Sequence, residues 1–103
     1  MKSLDITISS RHADLSEALV ATTRQKISRL SRLGNGFDRA DVHFYEEQNP
    51  RIADREVCEV WMNGSGRPVG CKVAAPDGFV AVDRAVVKLE HQLHKLKTRK
   101  TSH

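Results

Sequence analysis

The sequence predicts an α+β domain of order β-α-β-β-β-α, with a four-stranded mixed sheet and both helices packed on one face. Four stretches alternate apolar and polar residues, which is typical of strands with one buried face. Two longer stretches repeat apolar residues every three or four positions, which is typical of amphipathic helices. Because each strand offers only one apolar face, both helices must cover that face and leave the other to solvent.

The first strand and the first helix are predicted in the N-terminal third of the 103 residues. Aliphatic residues alternate with polar ones over residues 4–9, which predicts a strand. Either Asp14 or Ser16 can cap the helix that follows, and Asp14 with Glu17 fits the capping-box pattern. Residues 34–36, Gly-Asn-Gly, end the helix because both residue types tolerate a left-handed backbone. The apolar face of this helix consists of Leu19, Thr23, Ile27, Leu30 and Leu33.

Three further strands are predicted over residues 40–47, 56–63 and 67–75, with a hairpin turn at 64–66. A strand–helix–strand start favours parallel pairing of the first two strands, whereas the last three form an antiparallel meander. The side chains expected to face the helices are Ala40, Val42, Phe44, Cys58, Val60, Met62, Val69, Cys71 and Val73.

The last helix gives the strongest periodic signal and begins after Asp77, its expected cap. We therefore expect a single domain over residues 1–97 and a basic, flexible tail over residues 98–103. The apolar face of the helix consists of Phe79, Val82, Val86, Leu89, Leu93 and Leu96.

Positive charge is concentrated in particular segments. The formal net charge is +4, and the excess lies in residues 51–103. At about 100° per residue, five basic or titratable side chains of the last helix fall within about 80° of each other, roughly opposite its apolar face. These are Arg84, Lys88, His91, Lys95 and Arg99. In the first helix, Lys26, Arg29 and Arg32 lie on a flank of the apolar face. If the helices lie side by side, the two groups form one broad basic surface for a polyanion, with binding that weakens as salt rises.

Several function classes are not supported. No apolar run is long enough to span a membrane, and no secretory signal is present at Met1, so we expect a cytoplasmic protein without a membrane partner. His91 and His94 lack the acidic neighbours of a metal site. Cys58 and Cys71 face each other directly in one hairpin register, but buried free thiols are the better interpretation. No catalytic set and no phosphate loop is recognisable, so we expect no enzyme activity, cofactor or small-molecule substrate.

The open sheet face offers a rival site. Tyr45 and Trp61 point outward there, and aromatic side chains on RNA-binding sheets stack on bases. Asp5, Asp41 and Glu59 share the face and would repel phosphates. A cross-strand aromatic pair that shields the sheet is favoured over RNA stacking, and a protein contact is the second alternative.

Three segments of the chain resemble one known family. Arg11-His12 is followed by residues 16–19, Ser-Glu-Ala-Leu, which is similar to the motif R-H-x-x-x-[ST]-x-A-[LI]. Residues 26–30 are similar to K-L-x-[RK]-L, and residues 79–97 to [YF]-x-A-[IV]-D-x-x-x-x-K-L-x-x-Q-[LI]-x-K-x-K. The chain thus resembles the bacterial ribosome hibernation-promoting factors, also called ribosome-associated translation inhibitors.

The resemblance implies a domain that occupies the channel between the head and body of the small ribosomal subunit. There it would cover the mRNA path and the A and P tRNA sites, contact 16S rRNA, block translation and preserve idle 70S ribosomes during starvation. It also implies no catalytic activity. The basic positions that match the family are Lys26, Arg29, Arg84, Lys88 and Lys95, with Arg11 and His12 in the motif after the first strand. Arg32, His91 and Arg99 complete the predicted RNA-binding set.

Two other functions stay open at this point. A general double-stranded RNA-binding module has a similar α-β-β-β-α core and also reads RNA by shape. A protein-interaction domain would use the open sheet face. Long family members carry a further domain that drives ribosome dimerisation, and this sequence is compatible with either a short member or part of a long one. It is equally compatible with promoting or opposing ribosome dimerisation.

Overall fold

The computed structural model confirms the predicted element order. It describes residues 4–11, 15–32, 36–47, 53–64 and 66–101, with side chains placed as far as residue 95. The elements are β1 (Asp5–Ser10), α1 (Glu17–Leu30), β2 (Phe37–Glu46), β3 (Glu56–Gly64), β4 (Val69–Ala75) and α2 (Gly78–Thr101). Because α2 is helical through Thr101, it includes the start of the segment assigned to a tail, and the division into domain and flexible tail stays a prediction.

The four strands form one mixed sheet in the order β1-β2-β3-β4. β1 pairs in parallel with β2, and β2, β3 and β4 form an antiparallel meander, as predicted. β2 begins at Phe37 rather than at residue 40, and its register with β3 shifts between Phe37 and Arg39. The antiparallel pairing with β3 extends β2 beyond the stretch of apolar alternation, so periodicity alone located its start too late.

Both helices lie on one face of the sheet and enclose the core. Of the predicted inward positions, Cys71 is half-buried and the others on β2, β3 and β4 are buried. On α1 the buried side chains are Leu19, Thr23, Ile27 and Leu30, as predicted, while Leu33 lies outside the described residues.

The orientation of α2 differs from the prediction. Phe79 was expected in the core but is 43% exposed, and Val86 is only partly buried. Instead Ala81 and Ala85 are fully buried, about two turns and one turn before the buried Leu89. Small side chains let the helix backbone approach the sheet closely, so the line of contact follows the alanines and the helix is rotated relative to its larger apolar residues. The side chain of the sixth predicted position, at residue 96, lies outside the described part of the chain.

Side-chain caps fix where both helices begin. The hydroxyl of Ser16 accepts a hydrogen bond from the Leu19 backbone N–H at 3.1 Å, so Ser16 is the cap of α1. Asp14, the alternative, lies outside the described residues. The carboxylate of Asp77 accepts a hydrogen bond from the Val80 N–H at 3.0 Å, which confirms the predicted start of α2.

The two cysteines are free thiols that do not face each other. Cys58 is paired in register with Val73, and Cys71 with Val60, so the thiols occupy diagonal positions on β3 and β4. Burial raises the pKa of Cys58 to about 12, and the neighbouring Cys71 adds to the increase. The interpretation as free core thiols is confirmed, and the hairpin register that would set them directly opposite each other does not occur.

Helix side chains cover both edges of the sheet. The Arg24 guanidinium donates a hydrogen bond to the Ile6 carbonyl of β1 at 3.0 Å. On β4, the Arg84 guanidinium donates to the Ala74 carbonyl at 2.7 Å, and the Gln92 amide donates to the Gly70 carbonyl at 2.8 Å. Unpaired edge groups are templates for pairing with another chain, so these bonds protect the sheet against edge-to-edge association.

The helix and strand repeats match along the β4 edge. Eight residues separate Arg84 from Gln92, or about 12 Å of helix at 1.5 Å per residue. Four residues separate Gly70 from Ala74, or about 13 Å of strand at about 3.3 Å per residue. Because the two lengths agree, side chains two turns apart on α2 reach alternate carbonyls on the same side of β4.

Removal of the β4 cover should favour self-association. In the double variant Arg84→Ala/Gln92→Ala, two edge hydrogen bonds are lost at about 1 kcal/mol each. We expect the variant to unfold at a lower urea concentration than the parent chain. We also expect it to self-associate at a lower protein concentration. Sedimentation velocity over a concentration series measures the association. The matched control is Arg29→Ala/Gln25→Ala on exposed positions of α1, and equal association of the two variants would contradict edge protection.

The buried thiol of Cys58 should be unreactive in the folded protein. In a Cys71→Ser variant, Cys58 is the one cysteine left in the sequence. Only a thiolate is a nucleophile, and the folded-state pKa lies above the ordinary value of 9.0, so the thiol stays protonated between pH 8 and pH 10. The stabilising effect of this protonated thiol is complete below pH 9 and is lost as the pH rises toward about 12. A colorimetric thiol reagent should react within minutes in denaturant and far more slowly without it. Rapid native labelling that increases through pH 9 would show an exposed thiol.

Candidate nucleic-acid interface

The predicted basic positions of α2 are exposed but lie on a flank of the helix. Arg84, Lys88, His91 and Lys95 are all exposed. Relative to the line of buried alanines, they lie on the β4 side of the helix and not opposite its core. Two contacts show the direction: the Arg84 guanidinium reaches the Ala74 carbonyl of β4, and the Cys71 thiol of β4 donates to the Ala85 carbonyl, about one turn before Lys88. Burial raises the pKa of Cys71, and the positive charge of Lys88 partly offsets the increase.

Arg84 is held by two acceptors. In addition to the Ala74 carbonyl, its guanidinium contacts the Asp54 carboxylate at 3.1 Å, with the arginine side chain 48% exposed. Arg84 therefore links the start of α2 to the end of β4 and to the segment that precedes β3. Its charge is partly neutralised by Asp54, so Lys88 and Lys95 provide the more available positive charge on this flank, and His91 lies between them in the sequence.

The basic side chains of α1 do not join those of α2 in one continuous surface. The Lys26 ammonium forms an ion pair with the Asp83 carboxylate at 2.8 Å, across the two helices. Glu90 follows Asp83 by seven residues and so lies on the same side of α2. The predicted broad surface is thus interrupted by acidic residues of α2. The sequence did not predict this interruption, because tertiary packing determines on which side of α2 the helix α1 lies.

The remaining predicted positions of α1 are exposed at its C-terminal end. Arg29 lies in the last turn, where a cation also interacts favourably with the helix dipole, and Arg32 follows the helix. Neither side chain forms an ion pair with the other residues that the structure describes. Two basic strips result: Lys26, Arg29 and Arg32 on α1, and Arg84, Lys88, His91 and Lys95 on α2.

Arg11 lies on the opposite face of the protein. Its backbone N–H donates to the Phe44 carbonyl at 3.1 Å, which extends the alignment of β1 with β2 by one residue. Its guanidinium lies 5.6 Å from the centroid of the Tyr45 ring, on the open face of the sheet. His12 and the side chain of Arg99 lie outside the described part of the chain.

The two aromatic side chains of the open face do not form a cross-strand pair. Tyr45 is opposite Val57 in register, and Trp61 is opposite Asp41, so the predicted pair is wrong. Trp61 instead lies over its other cross-strand partner, Gly70, where the indole occupies the space that a Cβ atom would need. The indole is 49% exposed and covers the backbone of a strand that has no side chain at that position.

Neither a metal-ligand cluster nor a membrane-spanning helix occurs in the described ranges of the chain. Within them, no three His, Cys, Asp or Glu side chains are grouped as metal ligands would be. None of the helices there is long and apolar enough to cross a membrane.

A family model matches nearly the whole chain. Residues 6–101 match the family described as sigma 54 modulation protein / S30EA ribosomal protein. The match includes both basic strips and all six secondary-structure elements, apart from the first residue of β1. The chain therefore belongs to this S30AE ribosomal protein family.

Individual relatives agree with that assignment. The chain is 29% identical over 102 residues to the ribosome hibernation promotion factor of Mycobacterium tuberculosis, and the match covers 96% of this chain and 46% of the relative. The chain thus spans about half the length of that protein.

Solved structures share the fold. The N-terminal domain of Thermus thermophilus Protein Y aligns with a TM-score of 0.74 at 24% identity, covering 90% of this chain and 99% of that one. A ribosomal subunit interface protein from Coxiella burnetii aligns with a TM-score of 0.80 at 21% identity, covering 92% of this chain and 99% of that one. These matches confirm the β-α-β-β-β-α fold.

Removal of the carboxylate between the helices should strengthen polyanion binding. In Asp83→Asn, Lys26 loses its partner and the acidic interruption is reduced. We expect tighter binding to a labelled RNA duplex at low salt, with little change in stability because exposed ion pairs contribute about 0–1 kcal/mol. Fluorescence anisotropy at several salt concentrations measures both the affinity and its salt dependence. Asp41→Asn makes the same charge change on the open face and is the control. An equal gain in RNA affinity for the two variants would indicate that net charge, and not a local basic strip, determines the binding.

Proposed function

We propose that the chain binds the small ribosomal subunit, occupies its mRNA and tRNA channel, and thereby inhibits translation and preserves idle ribosomes. The observation that carries the proposal is the exposed strip of Lys88, His91 and Lys95, which none of the ion pairs found among the described residues neutralises. The family assignment supports ribosomal RNA as the polyanion. A relative is named a ribosome hibernation promotion factor, and a protein of the same fold is named a ribosomal subunit interface protein.

Binding through this strip would be electrostatic. Each lysine that neutralises a phosphate of 16S rRNA releases condensed counterions, so affinity should decrease steeply as salt rises. Phosphate contacts fix the position of a protein on RNA without reading sequence, and ribosome selectivity would then come from the shape of the bound site.

Inhibition would be steric. A domain that fills the path of mRNA and tRNA needs no bond-making step, and therefore no catalytic residue, cofactor or small-molecule substrate. The partners would be the small subunit and the 70S ribosome, and the site of action would be the bacterial cytoplasm under starvation stress. Because the chain spans about half of its longer relative, any effect on ribosome pairing lies beyond this proposal.

The α2 strip should be essential for subunit binding. The variant Lys88→Glu/Lys95→Glu replaces two attractive contacts by two repulsive ones, so we expect loss of binding at moderate salt and a salt slope smaller by about two for two lost phosphate contacts. Co-sedimentation with purified small subunits at several salt concentrations measures both. Arg39→Glu/Arg67→Glu makes the same change in net charge away from the helices and should bind almost normally.

Competition separates the proposed function from its alternatives. We expect tRNA to displace the protein from the subunit, and duplex RNA to compete poorly at matched salt. Equal competition by any long duplex would indicate a general double-stranded RNA-binding module. Undiminished binding by the α2 variant would exclude the strip as the RNA contact.

A further inference from the structure

The open sheet face carries a second concentration of positive charge, around Tyr45. The guanidinium of Arg11 and the ammonium of Lys72 each lie 5.6 Å from the centroid of its ring. Both distances are within the range of about 6 Å in which a cation is attracted by an aromatic ring. Significant contacts of this kind occur about once per 70–80 residues, so two on one ring set this position apart. We call Arg11, Tyr45 and Lys72 the sheet-face cluster.

Three different strands or strand ends hold the cluster together. Arg11 follows β1 and is fixed by its backbone bond to Phe44, Tyr45 lies near the end of β2, and Lys72 lies on the edge strand β4. A hydrogen bond with the Tyr45 side chain raises the pKa of Lys72, and the nearby carboxylates of Glu47 and Glu59 add to the increase. Lys72 is therefore fully charged at neutral pH.

The charges on this face are arranged unevenly. Arg39 pairs with Asp41 at 3.3 Å, so these two side chains neutralise each other toward one end of the sheet. Within the described ranges, neither cation of the sheet-face cluster has a carboxylate within ion-pair distance. The positive charges of Arg11 and Lys72 are therefore available to an anionic ligand. The cluster is thus complementary to a ligand that carries more than one negative charge, with Asp5 at the far end of β1 and Glu59 directly opposite Lys72 on β3.

We propose that the sheet-face cluster is a second RNA contact, in which Arg11 and Lys72 bind backbone phosphates on the side of the protein opposite the helices. The proposal rests on the function proposed above and extends it. The molecule is flat, with principal extents of 48 × 28 × 17 Å, so its two broad faces can contact two RNA segments at once. Tyr45 is a positioning residue here, because its ring is flanked by cations and is not a free platform for stacking on a base.

The proposal implies two sets of phosphate contacts in the same ribosome-bound protein. The helix strips contact one wall of the ribosomal site and the sheet-face cluster contacts the other, so the two sets of phosphate contacts are independent. Loss of one set therefore weakens binding without abolishing the contribution of the other. A domain held on both sides is also harder for mRNA or tRNA to displace than one held on a single side.

The test compares two charge reversals on the same face. Lys72→Glu removes a cation of the sheet-face cluster, and Arg39→Glu removes a cation that Asp41 already neutralises. Binding to purified small subunits is measured over a salt series, with folding checked by circular dichroism and urea unfolding. We expect Lys72→Glu to weaken binding several-fold and to reduce the salt slope by about 1, whereas Arg39→Glu leaves the slope unchanged. Tyr45→Ala should weaken binding less than Lys72→Glu, because the cations remain but are no longer held together.

Cross-linking identifies what lies against the face. Ala74 is exposed on β4, two residues from Lys72, and can be replaced by a photo-cross-linking amino acid. Cross-links to rRNA support the proposal, and cross-links confined to ribosomal proteins overturn it. Equal affinity and slope for the Lys72→Glu and Arg39→Glu variants overturn it as well, even when the Lys88→Glu/Lys95→Glu variant fails to bind. If the unmodified protein does not bind small subunits at any salt concentration, the function proposed above fails and this inference fails with it.

Discussion

One-sided burial of the sheet is the constraint on which the rest of the structure depends. Each strand presents apolar side chains to one face only, and both helices must cover that face to enclose the core. The packing at α2 is close because Ala81 and Ala85 are small, and it sets the rotation of the helix about its axis. That rotation directs Lys88 and Lys95 toward the β4 side and directs Asp83 toward α1. The distribution of charge on the surface is therefore a consequence of how the core packs.

Some long basic side chains of the helices stabilise the sheet edges and also contribute charge to the surface. Arg84 covers a carbonyl of the edge strand and contacts Asp54, so much of its hydrogen-bonding capacity is used within the protein. Arg24 has a similar role at β1. Sheets with two free edges need such protection, and here the helices supply it with residues that a composition count would assign to nucleic-acid binding. A basic residue on a helix is thus not by itself an RNA contact, and its hydrogen-bond partners decide how much charge is available to a ligand.

The two faces of the protein suit two different modes of contact. The helix face carries cations in strips, separated by the Lys26–Asp83 pair, and these strips are the RNA contacts in the function proposed above. The open face concentrates its unpaired charge at Tyr45, with Trp61 covering Gly70 some distance away. A flat domain with positive charge on both faces is suited to a narrow space lined by RNA. The family match and the structural relatives establish the S30AE family and the fold, and the location is part of the function proposed above.

The sequence by itself determined the element order, the parallel start of the sheet, the inward faces of the strands and the cap at Asp77, because each follows from local periodicity or local hydrogen bonding. It also predicted that Arg84, Lys88, His91 and Lys95 of α2 are exposed. Only the tertiary structure decided that Phe79 leaves the core and that the basic strips are interrupted, since both depend on the rotation and neighbours of α2. The association of Arg11 with Lys72 likewise required the strand register, which brings residues 61 positions apart in the sequence to the same aromatic ring.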